Sequence, residues 1–246
     1  MIQYVKKSIK KILNINKKEV KPVKLNLLIE ADAEFNLLYK EGNRITATPD
    51  AEPIFQFSKR WMRFYNLLQF YKQVEDIEGK TVECGCWLGL SSYILNKYNK
   101  NLAPGYNGAD YIIIDSFEGL SEPTQEDLMG GHVPRKGEFN SNVEKVKSSL
   151  KEFPEIKYVK GWIPSILPSL NEEKYKFVHI DLDLYEPIKG ALEYFYPRVV
   201  SGGIIVFDDY GGNLWPGAKK AVDDFCIKNH IKAISLSSGQ SVVIKK

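Results

Sequence analysis

The sequence contains few cysteines and no long hydrophobic run. Three cysteines among 246 residues are too few, and odd in number, for a disulfide framework, and Cys84 and Cys86 lack the second cysteine or histidine pair that a zinc ribbon requires. No stretch approaches the roughly 18 apolar residues of a membrane-spanning helix, although 43% of the residues are hydrophobic. We therefore predict a globular protein of a reducing cytoplasm, with its thiols free and buried.

Basic charge is concentrated in the first two dozen residues. Residues 1–24 hold eight lysines and one glutamate, a local charge of +7, so that residues 25–246 carry −4 of the total of +3. A mildly acidic body argues against a nucleic-acid-binding face.

The basic arm, residues 1–24, has amphipathic spacing without the features of a signal peptide, which needs an uninterrupted apolar core and a cleavage site. Its apolar residues recur at helical spacing opposite the lysines: Ile2, Val5, Ile9, Ile12 and Leu13. Two interpretations stay open. Residues 1–20 make weak contact with an anionic membrane surface, or the arm packs on its own domain or on a partner subunit.

Strand and helix patterns alternate from about residue 79 to the end of the chain. Buried strands are predicted at 80–86, 111–116, 156–161, 176–183 and 202–209, helices at 88–98, 140–153, 163–170, 186–197 and 215–229, and a final hairpin around Gly239. Such units impose right-handed crossovers, so we expect an α/β fold with a doubly wound, mostly parallel seven-stranded sheet. Residues 25–78 form an N-terminal helical cap, and residues 79–246 form the main domain.

Two of the predicted strands each end in a pair of carboxylates. Asp181 and Asp183 lie in HIDLDLYEP, and Asp208 and Asp209 lie in GGIIVFDDYG. Ligands bind at the carboxyl ends of parallel strands, and four carboxylates that meet there repel one another unless a cation lies among them. Capping of the next helix explains one aspartate per strand but not two. The pattern therefore predicts a divalent metal site with oxygen ligands, which favours magnesium, manganese or calcium.

Strand alternation places His179, Asp181 and Asp183 on one face of the sheet. Asp181 is the preferred metal ligand and general base, and Asp183 is the second candidate. His179 is a lesser candidate base, for which a hydrogen-bonded structural role is the commoner alternative.

The loop after the first strand departs from the dinucleotide-binding pattern. The run VECGCWLGLSS has Glu83, Gly85 and Gly89, but cysteine and tryptophan stand where further glycines would be needed. Gly85 permits a close approach to the backbone. The helix that starts after Gly89, with Ser91 in its first turn, offers amide donors to a carboxylate. Glu83 can accept from an ammonium group, so a ligand with amino and carboxyl groups fits.

Asp115 ends the second strand, where an acidic side chain typically binds both hydroxyls of a ribose. Phe117 beside it can stack on a purine. An amino acid at the first loop and a nucleoside at the second together describe S-adenosylmethionine.

Five segments resemble the macrocin O-methyltransferase family in order and spacing, over roughly residues 80–230: VECGCWLGLSS, IDSFEGLSEPT, KGWIPSILPSL, HIDLDLYEP and SGGIIVFDDYG. The resemblance implies the Rossmann-like fold of class I methyltransferases and a possible homo-oligomer. It also implies magnesium-dependent methyl transfer from S-adenosylmethionine to a sugar hydroxyl. The acceptor would be a nucleotide-linked sugar or a precursor of a surface glycan or natural product.

The resemblance also assigns site residues. Gly85 and Glu83 would hold the methionine moiety, and Asp181, Asp208 and Asp209 would bind the metal. The full set of cofactor contacts expected is Glu83, Gly85, Gly89, Ser91, Asp115, Ser116, Phe117, Gly161, Trp162 and Asp181, with Gly161 and Trp162 beside the adenine. The chain departs from the family at Cys84, Cys86 and Leu88 in the first loop, and at Leu182, where glycine is usual.

Two other functions remain open from the residues alone. A metal-dependent glycosyltransferase would use Asp181-Leu182-Asp183 to hold a nucleotide diphosphate, but it leaves Glu83 and the tandem aspartates at 208–209 unexplained. A non-catalytic binding module of a glycan pathway is the third alternative. The long polar segment 117–139, which includes Pro123 and His132, is either a lid over the cofactor or a static excursion.

Overall fold

The computed structural model describes residues 32–48 and 60–246. The basic arm at residues 1–24, for which two interpretations stay open, lies outside the described residues. The described residues from Ala33 onward belong to one compact unit, so the helices before residue 79 are part of the same body as the sheet.

Six α-helices are described, and we number them along the chain: α1 Ala33–Thr46, α2 Arg60–Lys72, α3 Leu90–Leu102, α4 Val143–Ser149, α5 Tyr185–Phe195 and α6 Pro216–Lys228. The seven strands are β1 Lys80–Cys84, β2 Tyr111–Asp115, β3 Lys157–Lys160, β4 Tyr175–Ile180, β5 Val199–Phe207, β6 Ile234–Ser235 and β7 Ser241–Ile244. The predicted doubly wound α/β fold is confirmed.

The strands form one sheet in the order β3-β2-β1-β4-β5-β7-β6. The first five strands are parallel, and β7 runs antiparallel to both β5 and β6. The predicted terminal hairpin is present, since Gly239 adopts a left-handed φ of 87° in the turn between β6 and β7. The chain order reverses between β1 and β4, and a doubly wound sheet opens a ligand crevice at such a point.

The central strands are apolar because helices cover both faces of the sheet. In β4, every residue except Lys176 is buried. On one side, α2 packs against the sheet through an edge contact between Tyr71 and Phe177, whose ring centroids are 5.1 Å apart. Within the described residues, no helix combines the length and apolar character needed to cross a membrane.

Two local predictions are wrong. The helix expected at 163–170 is a loop with a single 3-10 turn at Leu167–Ser169. The strands expected to continue to residues 183 and 209 end earlier, at Ile180 and Phe207. The strand alternation used for Asp183 therefore does not apply, because the backbone at Asp183 turns to a left-handed φ of 59°.

Candidate functional site

One cavity of about 480 Å³ opens at the carboxyl ends of β1, β2, β4 and β5. It lies at the point where the chain order reverses, as the topology requires. Its wall contains nine of the predicted site residues, which the fold brings together from five loops: Gly85, Asp115, Ser116, Gly161, Trp162, Asp181, Asp183, Asp208 and Asp209.

Gly85 marks the closest approach between β1 and β4 at the floor of the cavity. Its φ is 83°, and a Cβ atom there would collide with the carbonyl oxygen of Asp181. The backbone nitrogen of Asp181 in turn donates to the carbonyl of Cys84 at 2.9 Å. A side chain at position 85 would therefore push Asp181 out of the site.

Asp115 is held in place by the loop that follows β1. Its Oδ2 atom accepts hydrogen bonds from the backbone nitrogens of Cys86 at 2.7 Å and Trp87 at 3.3 Å. Its Oδ1 atom accepts from the backbone nitrogen of Phe117 at 2.6 Å. The carboxylate thus ties two loops together while it faces the cavity, and a carboxylate retains acceptor capacity beyond these three bonds.

The four aspartates converge as predicted. Two groups have ligand atoms that all lie within 4.8 Å of one another, and Asp181 belongs to both: one adds His179 and Asp208, and the other adds Asp183 and Asp209. The predicted metal trio of Asp181, Asp208 and Asp209 is spread over these two groups. Helix capping does not explain the cluster, because α5 and α6 have Leu184 and Trp215 at their N-caps without a side-chain cap.

A positively charged side chain of α2, Arg63, lies beside the second pair of carboxylates. The Nη2 atom of Arg63 pairs with Oδ2 of Asp208 and, at 2.7 Å, with Oδ1 of Asp209. Gln240, which is fully buried just before β7, donates to Oδ1 of Asp208 at 2.7 Å. Arg63 and Gln240 are therefore part of the acidic site.

These contacts separate the pKa values of the aspartates. Burial alone would raise the pKa of Asp208, but Arg63, His179 and Gln240 outweigh it and lower this pKa to about 2. For Asp181, burial and the charges of Asp208 and Asp209 together raise the pKa well above its usual value. Burial and the neighbouring Asp209 raise the pKa of Asp183 in the same direction. As the pH falls, Asp181 and Asp183 are therefore protonated before Asp208.

Glu83 is not in the cavity wall, which corrects its predicted contact with the methionine moiety. It is fully buried in the sheet, where its carboxylate accepts hydrogen bonds from Ser91, Ser92, Tyr111 at 3.0 Å and His179 at 3.0 Å. The hydroxyl of Ser91 belongs to the same hydrogen-bond network, and Ser91 does not line the cavity either. The side chains that suggested an ammonium site instead hold β1, β2, β4 and α3 together.

Three further predicted residues lie behind the wall. His179 is buried between Glu83 and Asp208, with its Nε2 atom 3.8 Å from Oδ1 of Asp208. Gly89 is packed near Val146 of α4, and Phe117 is buried with only its backbone bonded to Asp115. None of these three residues lines the cavity.

An aromatic cluster lines the cavity on the side of α2 and the 117–139 segment. Phe139 lies 6.0 Å from Trp87 and 6.1 Å from Trp215, measured between ring centroids. The guanidinium of Arg60 lies 5.3 Å from the centre of the Trp87 ring. These rings and Arg60 form a partly apolar surface next to the carboxylates.

The 117–139 segment has a backbone bond between its own two ends and is anchored to the rest of the chain at two places. Leu120 and Glu138 are joined by a backbone hydrogen bond of 2.8 Å, and Gly131 donates to the carbonyl of Asn213 at 2.7 Å. Buried Asp127 accepts from the backbone nitrogens of Thr124 at 2.8 Å and of Tyr185, the first residue of α5, at 2.9 Å. Opening of this segment as a lid would have to break the bonds to Asn213 and Tyr185.

The sequence prediction missed Arg63, Gln240 and Asp127. Arg60 and Arg63 do carry a signal, because two arginines three positions apart share one face of an aromatic helix. Gln240 and Asp127 lie in polar turns that resemble ordinary loop sequence. Nothing local distinguishes them.

Comparison with known proteins gives one family. The family description macrocin-O-methyltransferase (TylF) matches residues 48–238. A relative from Streptomyces olivaceus, 8-demethyl-8-(2,3-dimethoxy-alpha-L-rhamnosyl)-tetracenomycin-C 4'-O-methyltransferase, is 25% identical in an alignment of 199 residues that covers 71% of this chain and 75% of that protein. Demethyldecarbamoylnovobiocin O-methyltransferase from Streptomyces niveus is 25% identical in an alignment of 176 residues that covers 68% of this chain and 66% of that protein.

Solved structures share the fold. The O-methyltransferase NovP superposes with a TM-score of 0.68 at 19% identity, over 87% of this chain and 99% of that one. The calicheamicin methyltransferase CalS11 superposes with a TM-score of 0.66 at 20% identity, over 85% of this chain and 91% of that one.

Proposed function

The chain belongs to the macrocin-O-methyltransferase family, and we propose on this premise that it transfers the methyl group of S-adenosylmethionine to a hydroxyl of a sugar. The observation that carries the proposal is that Gly85, Asp115 and Trp162 line the same cavity as a cluster of four aspartates. The glycosyltransferase alternative leaves the second aspartate pair unexplained, and the family match favours methyl transfer over it and over a non-catalytic module.

The cofactor would occupy the side of the cavity formed by the loops after β1, β2 and β3. Gly85 would border the methionine moiety, Asp115 would face the ribose, and Gly161 and Trp162 would border the adenine. The acceptor would then lie on the opposite side, between the carboxylates and the aromatic cluster of Trp87, Phe139 and Trp215. Aromatic faces of this kind suit the apolar faces of a sugar or of the group that it is attached to.

The reaction is an in-line displacement in which the acceptor oxygen attacks the methyl carbon. The bond between this carbon and the sulfonium breaks, and its electron pair stays on sulfur to give S-adenosylhomocysteine. We assign Asp181 to take the proton of the acceptor hydroxyl, with Asp183 as the second candidate, because both carboxylates line the cavity and a positioned carboxylate can act as a general base.

The acidic cluster fits a divalent cation. Its donors are carboxylate oxygens, which Mg²⁺ prefers, and the Oδ2 atom of Asp209 is buried without a hydrogen-bond partner. The resemblance assigns Asp181, Asp208 and Asp209 as ligands, and Asp181 is common to both close groups in the structure. A bound cation would act as a Lewis acid that stabilises the developing negative charge on the acceptor oxygen.

We propose a nucleotide-linked sugar or a precursor of a surface glycan or natural product as the acceptor. The tetracenomycin relative is named for a rhamnosyl substrate, and a solved structure of CalS11, with a TM-score of 0.56, is described as a TDP-rhamnose 3'-O-methyltransferase. The three buried, unpaired cysteines suit the reducing cytoplasm in which we place the reaction.

The first experiment is calorimetric titration with S-adenosylhomocysteine, in magnesium and again in EDTA. We expect binding in both buffers, weakened by Trp162→Ala but not by Phe139→Ala, which lies on the acceptor side. Turnover with a panel of nucleotide sugars then follows. Absence of S-adenosylhomocysteine binding in both buffers would contradict the methyltransferase assignment.

A further inference from the structure

The cavity wall contains a histidine and a glutamate that are bonded to each other. The Nε2 atom of His132 lies 3.0 Å from Oε2 of Glu138, and both residues line the cavity. Neither residue belongs to the two groups of close potential metal ligands, both of which include Asp181. The two side chains are 33% and 27% exposed, so they are partly shielded from solvent and still accessible to a ligand.

Backbone hydrogen bonds hold both members of the His132–Glu138 pair in place. The carbonyl of Glu138 accepts from the backbone nitrogen of Leu120 at 2.8 Å. Gly131, the residue before His132, donates to the carbonyl of Asn213 at 2.7 Å. The backbones that carry the two side chains are therefore fixed before any ligand binds, which lowers the entropic cost of binding.

Glu138 determines which nitrogen of the His132 ring is left for a ligand. Its Oε2 atom also accepts from the backbone nitrogen of Arg135 at 3.2 Å, so this oxygen acts as an acceptor and the ring nitrogen Nε2 carries a proton. In the neutral ring, Nδ1 then has a lone pair. Within residues 32–48 and 60–246 Nδ1 has no hydrogen-bond partner, and it is not buried. The pair therefore offers one oriented hydrogen-bond acceptor, because the carboxylate fixes the ring.

The ring of His132 packs against the aromatic cluster on the acceptor side of the cavity. Its centroid lies 4.9 Å from that of Trp215, with an angle of 66° between the ring planes. The other two rings of the cluster, Trp87 and Phe139, lie on backbone with left-handed φ values of 45° and 61°. Such backbone is costly for an aromatic residue and is concentrated at ligand sites. A polar acceptor beside aromatic faces suits the hydroxyls and the apolar face of a sugar.

We infer that Nδ1 of His132 accepts a hydrogen bond from a hydroxyl of the acceptor sugar other than the one that is methylated, and that Glu138 is the positioning residue that orients the ring. This inference rests on the proposed function and names a determinant of its acceptor specificity. The reacting hydroxyl belongs beside Asp181, and the pair lies outside the aspartate cluster, so it binds a second hydroxyl. A sugar without this hydroxyl leaves Nδ1 unpaired, and a site built to bind a hydroxyl discriminates against the analogue that lacks it.

The test measures KM and kcat for the acceptor at saturating S-adenosylmethionine and magnesium, with TDP-rhamnose as the first probe and other nucleotide sugars after it. His132→Phe removes both ring nitrogens and keeps an aromatic ring against Trp215. It should raise KM about tenfold and change kcat by less than about threefold, because a bond to a non-reacting hydroxyl is present before and during methyl transfer. Affinity for S-adenosylhomocysteine should be unchanged.

Glu138→Ala tests the positioning role. It should also raise KM, and its combination with His132→Phe should raise KM no further than His132→Phe alone, because Glu138 acts through the ring. Glu122→Ala, an exposed acidic residue of the same segment, is the control, and thermal unfolding checks that each variant is folded. Additive effects of Glu138→Ala and His132→Phe would contradict the positioning role.

Monodeoxy analogues of the nucleotide sugar distinguish recognition from packing. In the original chain, removal of one non-reacting hydroxyl should raise KM about tenfold, whereas in His132→Phe removal of the same hydroxyl should change KM by less than about twofold, since its partner is already absent. A histidine that serves only to pack against Trp215 would leave this discrimination unchanged. Equal discrimination by the original chain and His132→Phe would overturn the inference.

The outcomes separate this inference from the proposed function. Where a nucleotide sugar is not methylated, calorimetric titration of the same sugar into the complex with S-adenosylhomocysteine replaces KM. If no sugar of the panel binds while S-adenosylhomocysteine does, the inference is overturned and the methyltransferase assignment stands. If sugars bind with the expected dependence on His132 but S-adenosylhomocysteine does not bind, the inference about the sugar site stands and the methyltransferase assignment fails.

Discussion

At the scale of single residues, Glu83 shows that a carboxylate of the type expected to bind a ligand can instead stabilise the fold. An acidic residue at the end of β1 suggests an ammonium site. The structure instead directs its carboxylate into the sheet, where two serines, a tyrosine and a histidine surround it. Full burial removes the carboxylate from water, so it is tolerated only because these hydrogen bonds replace hydration.

Glu83→Gln should lower the free energy of unfolding by about 1–3 kcal/mol, because an amide group then presents hydrogens to groups that donate. Urea denaturation measures the change, with the exposed Glu155→Gln as the control of identical chemistry. Affinity for S-adenosylhomocysteine in the folded variant should be nearly unchanged. If the variant had normal stability but no longer bound S-adenosylhomocysteine, Glu83 would have to be reassigned to the cofactor site.

His179 gives the stability of the protein a pH dependence. Burial lowers its pKa, but the hydrogen bond to Glu83 and the negative charges of Glu83 and Asp208 outweigh this and raise the pKa to about 10. A pKa raised in the folded state means that the imidazolium stabilises the fold fully below the unfolded pKa of about 6.5. This contribution disappears as the pH rises through the folded value.

The stability difference between the original chain and His179→Gln should therefore be largest near pH 6 and shrink steadily toward pH 10. Urea denaturation of both proteins at several pH values measures it. Because other titrating groups are common to both, they largely cancel in the difference. A difference that stays constant or grows from pH 7 to pH 10 would show that the histidine is neutral in the folded protein.

At the scale of elements, the ends of the strands determine the site. The residues of β4 and β5 were predicted well because a buried parallel strand has to be continuously apolar. The predicted strands ran three residues too far in β4 and two in β5, since Asp181 and Asp208 follow the last paired residue without any glycine or proline to mark the end. The left-handed turn at Asp183 depends on contacts that the local sequence does not show.

Asp127 connects two elements that are 58 residues apart. It caps the first turn of α5 from the 117–139 segment, and Gly217 of α6 lies so close that a Cβ atom there would collide with its carboxylate. The start of α5, just after Asp183, and the segment that lines the cavity therefore share one anchor.

Asp127→Ala should destabilise the protein by about 1–2 kcal/mol, the usual cost of a lost helix cap. Limited proteolysis should then cut the 117–139 segment faster, and S-adenosylhomocysteine should bind more weakly, because residues of this segment line the cavity. Glu122→Ala, an exposed acidic residue of the same segment, is the control. Proteolysis at equal rates in both variants would show that Asp127 does not anchor the segment.

At the scale of the whole molecule, the acidic cluster joins β4, β5, α2 and the final hairpin, so its charge balance affects global stability. A ligand that binds only the folded state at about 100 times its dissociation constant adds about 2.7 kcal/mol. Magnesium should therefore raise the midpoint of thermal unfolding, and EDTA should lower it.

The comparison for this prediction is Asp209→Asn, whose unfolding midpoint should not respond to magnesium. Potassium chloride at matched ionic strength controls for screening. If the original chain and Asp209→Asn respond equally to magnesium, or if neither responds, the cluster does not hold the cation.

The sequence by itself determined the order of the elements, the parallel sheet and the meeting of four aspartates, because burial periodicity and the edge of a parallel sheet are local and topological properties. It also carried the family resemblance. Only the tertiary structure decided which way each carboxylate points. Arg63 reaches Asp208 across 145 positions of the chain, and Gln240 reaches it across 32. Such long-range pairing follows from packing, so no local pattern distinguishes buried Glu83 from cavity-lining Asp115.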